Sequence, residues 1–272
     1  MKCQTTTSSI PTINKDKRIG TVVIFLEGEQ TEIQIFQKIF HDILGYKPVT
    51  IRRRGKKVFT HTVNLKPDVG NSANIFLFNL RKPQVKAIND YRFRDDLYKE
   101  VLLEYGIDLK NKPVYYVWDR DPGSNSAEDT RALIERLGSA NGNTMANPKQ
   151  DYENGLLILS YPAAESYIIS HLKPVKFVSN TSLKTYVKQE KMRIRDFSQD
   201  GLIKAVHTMH RRMEGFGISS YDTDSFSGTH LSLYEDEEKV YKSKGDYLIF
   251  SLISVILVDL GILNFRTPRL SA

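Results

Sequence analysis

The chain has 272 residues, 40% hydrophobic and 26% charged, enough for one large core with or without an appendage, and it carries a formal charge of +7. That surplus favours a polyanionic partner, because Lys and Arg that neutralise phosphates release condensed counterions; nucleic acid comes first and an acidic membrane surface second. The one cysteine, Cys3, excludes an internal disulfide and a cysteine-based zinc cluster, and it suits a reducing cytoplasm.

Residues 1–18 are rich in Thr, Ser and Lys, lack the apolar run of a signal peptide and are expected to form a disordered arm. From Gly20, TVVIFLEG reads as a buried parallel strand that ends in a glycine. In GEQTEIQIFQKIFHDILG, Ile33, Ile35, Phe36, Ile39, Phe40, Ile43 and Leu44 fall near helical spacing, and Gly45 supplies the stop. KPVTIRRR and ANIFLFNL read as two further strands, and a single helix is expected from Val85 to Tyr105, ended by Gly106. The apolar strand PVYYVW stops at Asp119. SAEDTRALIERLG then starts on a Ser cap with acids in its first turn, as the helix dipole favours. GLLILSYP is one more apolar strand and leads into the helical pattern AAESYIISHL.

This alternation predicts an α/β fold, a doubly wound and mainly parallel sheet occupying residues 19–172. Ligands bind beyond the carboxyl ends of such strands, and that rule selects Glu27, then Asp119 with Asp121, then Ser160 with Glu165 close behind. Residues 173–272 are more charged and lack strong strand patterns, so they are read as an α-helical appendage. Within it, Tyr247–Leu263 is almost wholly apolar yet short of the roughly 20 residues that span a bilayer. It is expected to be buried against other helices or a partner subunit, as in a homodimer. His207 and His210 read as surface histidines, and Glu235 to Glu238 as a solvated helix start. There is no internal repeat and no low-complexity tract.

Carboxylates gathered at a strand edge repel one another and lose hydration, so they call for a cation. Oxygen donors without cysteine or an obvious histidine suit a hard ion, Mg²⁺ or Mn²⁺, and in a basic protein they point to phosphoryl chemistry. If the strand continues through WDRDPGS, period-two alternation puts Asp119 and Asp121 on one side; a lone DxD is also what a turn with Asp as local acceptor looks like. In LEGEQTE, Gly28 lets the backbone leave the strand, while Glu29 and Glu32 complement the start of the helix. Arg52, Arg53, Arg54, Lys56 and Lys57 form the strongest basic run and read as phosphate contacts, with Phe59 and His61 placed to stack on bases. Lys188, Lys191, Arg193 and Arg195, and Arg211 with Arg212, are weaker basic stretches compatible with exposed helix faces.

EGEQTE, VWDRDPGS and SYPAAESYIISHL together resemble the Toprim fold as it occurs in RloB-like proteins and, more distantly, in OLD-family and AriB-type nucleases of bacterial anti-phage systems. RloB-like proteins carry an EGxxTE motif, a DRD motif after an apolar strand, and a third motif of the form NPxFExWLLxHF. The resemblance spans about Thr21 to Leu172; in the third motif Tyr161 replaces the usual Asn, and Ala164 replaces the aromatic residue before Glu165. It implies a metal-dependent nuclease in which Glu27 is a general acid, base or ligand, Asp119 and Asp121 hold the metal, and Glu165 binds a second ion. It also implies a role as the toxin of a defence pair acting on DNA or RNA, tRNA included, under an ABC- or AAA-type ATPase partner. The chain has no G-x-x-x-x-G-K-[ST] loop, so ATP-driven control would have to come from that partner. Toprim folds also occur in primases and topoisomerases, but the single cysteine forbids the zinc ribbon of the first and the length is too small for a complete topoisomerase. The other expectation is a binding module whose carboxylates hold a structural ion while the basic surface engages nucleic acid.

Overall fold

The computed structural model describes residues 2–5, 10–28, 30–50, 59–67, 74–80, 84–140, 155–169, 176–177 and 179–266. Two short strands, β1 (Lys2–Gln4) and β2 (Ile10–Ile13), precede β3 (Thr21–Leu26), the β-branched run, which is buried at every residue after the first. Helix α1 (Thr31–Gln37) widens into π-helical turns over Lys38–Ile43, and the chain reverses at Gly45, whose φ of +80° suits glycine. Strands β4 (Tyr46–Thr50), β5 (Phe59–Pro67) and β6 (Asn74–Leu80) follow. Helices α2 (Val85–Asn89) and α3 (Tyr91–Tyr105) replace the single helix expected there. Asp90 between them is extended and its carboxylate accepts from the Arg92 N–H at 2.9 Å, so it caps a new helix instead of continuing the old one.

Strand β7 (Val114–Asp119), helix α4 (Ala127–Arg136), β8 (Gly138–Ser139), β9 (Gly155–Tyr161) and helix α5 (Glu165–Ile169) continue the alternation. The foreseen cap of α4 is present: the Ser126 hydroxyl accepts from the Asp129 N–H at 3.0 Å. The rest of the chain holds β10 (Lys176–Phe177), α6 (Asn180–Gln189), α7 (Gln199–Gly215) and β11 (Ser220–Asp222). It closes with α8 (Phe226–Lys244), β12 (Tyr247–Leu248), β13 (Phe250–Ser251), α9 (Ile253–Asp259) and β14 (Leu263–Arg266).

One sheet organises these elements, in the order β13-β9-β7-β3-β6-β5-β4, with β8 paired to the start of β9. The four central strands β9, β7, β3 and β6 are parallel; β13 pairs antiparallel with β9 on one side, and on the other β5 pairs antiparallel with β6 and β4 with β5, so the sheet is mixed around a parallel centre. Helices cover both faces. On β7 the Tyr115 hydroxyl donates to Asp259 of α9 at 2.6 Å, whereas Tyr116, on the opposite face, donates to Tyr98 of α3 at 3.3 Å. Burial on both faces is why β7 and β9 read as unbroken apolar runs.

The chain moves from β3 to β6 on one side and then crosses to place β7 on the other, so the order of the parallel strands reverses between β3 and β7. At such a reversal the connections leave in opposite directions and open a crevice beyond the strand ends. Glu27 follows β3 and Asp119 ends β7, so both lie at that point.

Four expectations need correction. The N-terminal arm is not structureless: β1 pairs with β11, β2 pairs with β14, and Cys3 is buried. Residues 173–272 are not a separate helical appendage, because β13 joins the main sheet beside β9 and the region shares one continuous core with the rest. The apolar segment from Tyr247 to Leu263, by contrast, is buried as expected, and of the two covers left open it is the chain's own core: Ile253 and Leu257 are 0% exposed. Glu237 and Glu238, expected in a solvated helix start, are buried inside α8, and His210 is buried against Tyr221, its Nε2 3.1 Å from the phenol oxygen. Among the described residues no helix is long and apolar enough to cross a membrane.

Candidate active site at the ends of β3 and β7

Glu27 leaves β3 with its backbone N–H still bound to Val117 of β7 at 3.1 Å, which holds it against the neighbouring strand. Its side chain crosses to β7: Oε2 accepts from the Asp119 N–H at 2.7 Å, and Oε1 accepts from Asn125 Nδ2 at 3.4 Å. A Cβ on the next residue, Gly28, would displace the Glu32 carboxylate from its present place. That carboxylate turns back to accept from the Gly28 N–H at 3.1 Å, while the Gly28 carbonyl accepts from Asn79 of β6.

Asp119 is the hub. Its Oδ1 accepts from the Ala164 N–H at 2.8 Å and its Oδ2 from Asn180 Nδ2 at 3.1 Å, so the loop after β9 and the start of α6 meet on one carboxylate. Glu165, first residue of α5, accepts through Oε1 from the Thr31 hydroxyl of α1 at 3.1 Å. Its Oε2 and the Oδ1 of Asn180 are buried without a hydrogen-bond partner.

The electrostatics follow from crowding. Glu27 is pushed up to about 7, first by loss of hydration and then by the charges of Glu32 and Asp121, against hydrogen bonds from Asp119 and Asn125. Asp119 lies well above the usual carboxylate range, through burial and then Glu32, Glu27 and Glu165. Glu32 is raised by burial and by Glu165, and Lys184 of α6 opposes the shift at both Glu32 and Asp119. Four acids thus feel one another across the reversal point.

Of the residues selected from sequence, Glu27, Asp119 and Glu165 come together. Asp121 stands at the rim: β7 ends at Asp119, and both Asp121 oxygens serve their own turn, accepting from the Gly123 N–H and the Ser124 hydroxyl at 3.1 Å each. Expected alternation through Asp121 fails because the strand has already ended. Arg120 points to the other face, where its Nε donates to Glu238 at 2.8 Å. Glu32, Asn125 and Asn180 were not selected; Glu32 read as a dipole partner of the helix, and Asn180 lies in the region read as an appendage. The run Arg52, Arg53, Arg54, Lys56 and Lys57 lies outside the described residues, as do Glu29 and the His61 side chain. Phe59 does not offer a face to bases: it is buried between Phe25 and Phe78, with ring centroids 6.3 and 4.7 Å away.

Among the described residues, no three acids, histidines or cysteines close into a ready ligand set. The reason is visible in the bonds above, which turn the carboxylate oxygens toward N–H groups rather than toward one point. The donor chemistry nevertheless fits a hard divalent ion: every candidate is an oxygen, and the buried Glu165 Oε2 and Asn180 Oδ1 have no hydrogen-bond partner. Comparison of the chain with protein-family models, curated proteins and solved structures gives no match.

Proposed function

We propose that this chain is a Mg²⁺- or Mn²⁺-dependent nuclease of the Toprim type, related to RloB-like proteins, that hydrolyses phosphodiester bonds in DNA or RNA. One observation carries the reading: Glu27, Glu32, Asp119 and Glu165, from different elements, crowd together at the strand-order reversal with a buried carboxylate oxygen left unpartnered. When bound there, the ion would polarise a phosphoryl oxygen and favour ionisation of a water. Asp119, Glu165 and Glu32 would hold it. Glu27 is fixed through Oε2 by the Asp119 N–H, and its Oε1, held only by a long bond from Asn125, suits proton transfer. In the reaction, water oxygen bonds to phosphorus, the bond to the leaving sugar oxygen breaks, and the water proton passes by way of Oε1 to that oxygen.

On sequence grounds Arg52, Arg53, Arg54, Lys56 and Lys57 are proposed as phosphate contacts, the cytoplasm as the location, and an ATPase partner as the source of control over a defence toxin. A second reading, a nucleic-acid-binding module without catalysis, is favoured by the absence of a closed ligand set among the described residues. The two part in one experiment with plasmid, single-stranded DNA and tRNA, each with Mg²⁺, Mn²⁺ or EDTA. A nuclease cleaves with metal and not with EDTA, and Glu27→Ala or Asp119→Ala lowers the rate by roughly 10²-fold or more while the variants melt cooperatively. Binding without cleavage, unchanged in both variants, would leave the second reading standing.

A further inference from the structure

Helix α1 begins at the acid cluster, where Thr31 donates to Glu165, and its solvent side runs away from there through Gln34, Lys38 and His41. Helix α6 begins at the same cluster, with Asn180 on Asp119, and the chain leaving it reaches a 3₁₀ turn at Ile194–Asp196. Between these paths lies an open cleft of about 360 Å³ to which α1 and its extension contribute Gln34, Gln37, Lys38 and His41. Ile194 and Arg195 come from the turn, Pro48 from edge strand β4, and Asp42 completes the lining.

The lining has the chemistry of a nucleotide site. Gln34 and Gln37 present paired amide donors and acceptors suited to a base edge, Pro48 and Ile194 give apolar contact for a base face, and Lys38 and Arg195 can take a phosphate. Asp42 now accepts from Lys38 Nζ at 2.9 Å and lies 2.6 Å from His41 Nδ1. With Asp42 43% exposed, that pairing is worth about 1 kcal/mol at most and yields to a phosphate oxygen. The helix is also distorted here: Leu44 N–H reaches back five residues to Ile39 at 3.0 Å, and π-helical turns concentrate at functional sites.

We propose that this cleft receives one unpaired nucleotide of the substrate strand, within a few nucleotides of the bond placed at the acid cluster. The inference rests on the nuclease reading above and deepens it by naming a substrate class, a strand unpaired beside the cut. Thr31 to Lys38 is seven residues, roughly 10 Å of helix, a reach of about three stacked bases. A site this small admits one nucleotide, and a base lodged between Pro48 and Ile194 has left its stack and its pair, which costs least in a strand that is already unpaired.

The test is fluorescence anisotropy of the full chain with a labelled single-stranded oligonucleotide and with the same sequence as a duplex, in EDTA so that nothing turns over. Lys38→Ala/Arg195→Ala should weaken single-strand binding roughly tenfold and flatten its salt dependence by about one to two charges. Gln34→Ala/Gln37→Ala should cost roughly fivefold on the single strand and nothing on the duplex, whereas Asp42→Asn should tighten single-strand binding about threefold. Lys99→Ala, at an exposed position of α3, is the control for general charge. The proposal is overturned if the wild-type chain binds no single strand, if both double variants bind it within twofold of wild type, or if duplex and single strand lose equally. A chain that binds as expected but never cleaves with metal would instead sink the nuclease reading and leave the cleft assigned.

Discussion

Arg120 sits between the two aspartates of WDRD yet belongs to the interior, 2% exposed. Its Nε donates to Glu238 at 2.8 Å, its Nη1 donates to the Asn125 carbonyl at 3.0 Å, and its guanidinium lies 5.5 Å from the Tyr234 ring centre. The Tyr247 hydroxyl donates to the same Glu238 oxygen at 2.8 Å. Because Asn125 in turn holds Glu27, a side chain on one face of the sheet positions an acid on the other. Arg120→Met strands the Glu238 charge and should cost roughly 3–5 kcal/mol in urea unfolding, most of it regained in Arg120→Met/Glu238→Leu. A loss in the double variant equal to the sum of the Arg120→Met and Glu238→Leu losses would show that the pair is not coupled. Glu27, Asp119 and Glu165 were legible because each follows an apolar strand that announces its own end. Glu32 and Asn180 were not, since an acid or amide in a first helical turn looks the same whether it serves the helix or a distant carboxylate.

At the level of elements, strands that read as unbroken apolar runs were legible, and so was edge strand β4 in KPVTIRRR, whereas a strand of mixed polarity inside the sheet was not. TVVIFL, NIFLFNL, VYYVWD and GLLILSY all form strands, but β5, whose FTHTVNLKP alternates apolar and polar residues, was missed beside the louder basic run. The expected burial of 247–263 is present, and the structure decides between the two covers left open. Apolar content predicts burial but not by what, and here the cover is the chain's own sheet and helices. A charge in α9 is therefore expected to unfold the molecule rather than split an assembly. Leu257→Asp should cost roughly 4 kcal/mol or more, seen as lost cooperativity in thermal circular dichroism; a folded variant that only changes elution volume would restore the interface.

For the whole molecule, buried histidines set the acid limit. His230 in α8 is 0% exposed, both ring nitrogens lack hydrogen-bond partners, and burial pushes it down to about 3; His210 is pushed down to about 4, through burial and then His207. Below pH 6.5 the unfolded chain takes up protons that the folded chain refuses, so this stability is present above 6.5 and drains away toward pH 3. Relative to His230→Leu, wild type should lose about 1.4 kcal/mol per pH unit in that window, measured as urea midpoints at pH 7 and pH 5. Parallel slopes for the two proteins would show that His230 is hydrated or partnered. The alternation along β7 carries a last consequence. Tyr115 and Asp119 share one face, and Tyr116 and Arg120 share the other. A slip of one residue against β3 would exchange an anion for a guanidinium in the crevice and drive the acid into the tyrosine-lined interior. The mispaired sheet would be unstable in its core for the same reason that it would be chemically inert, so selection for a stable fold already guards the placement of the acid.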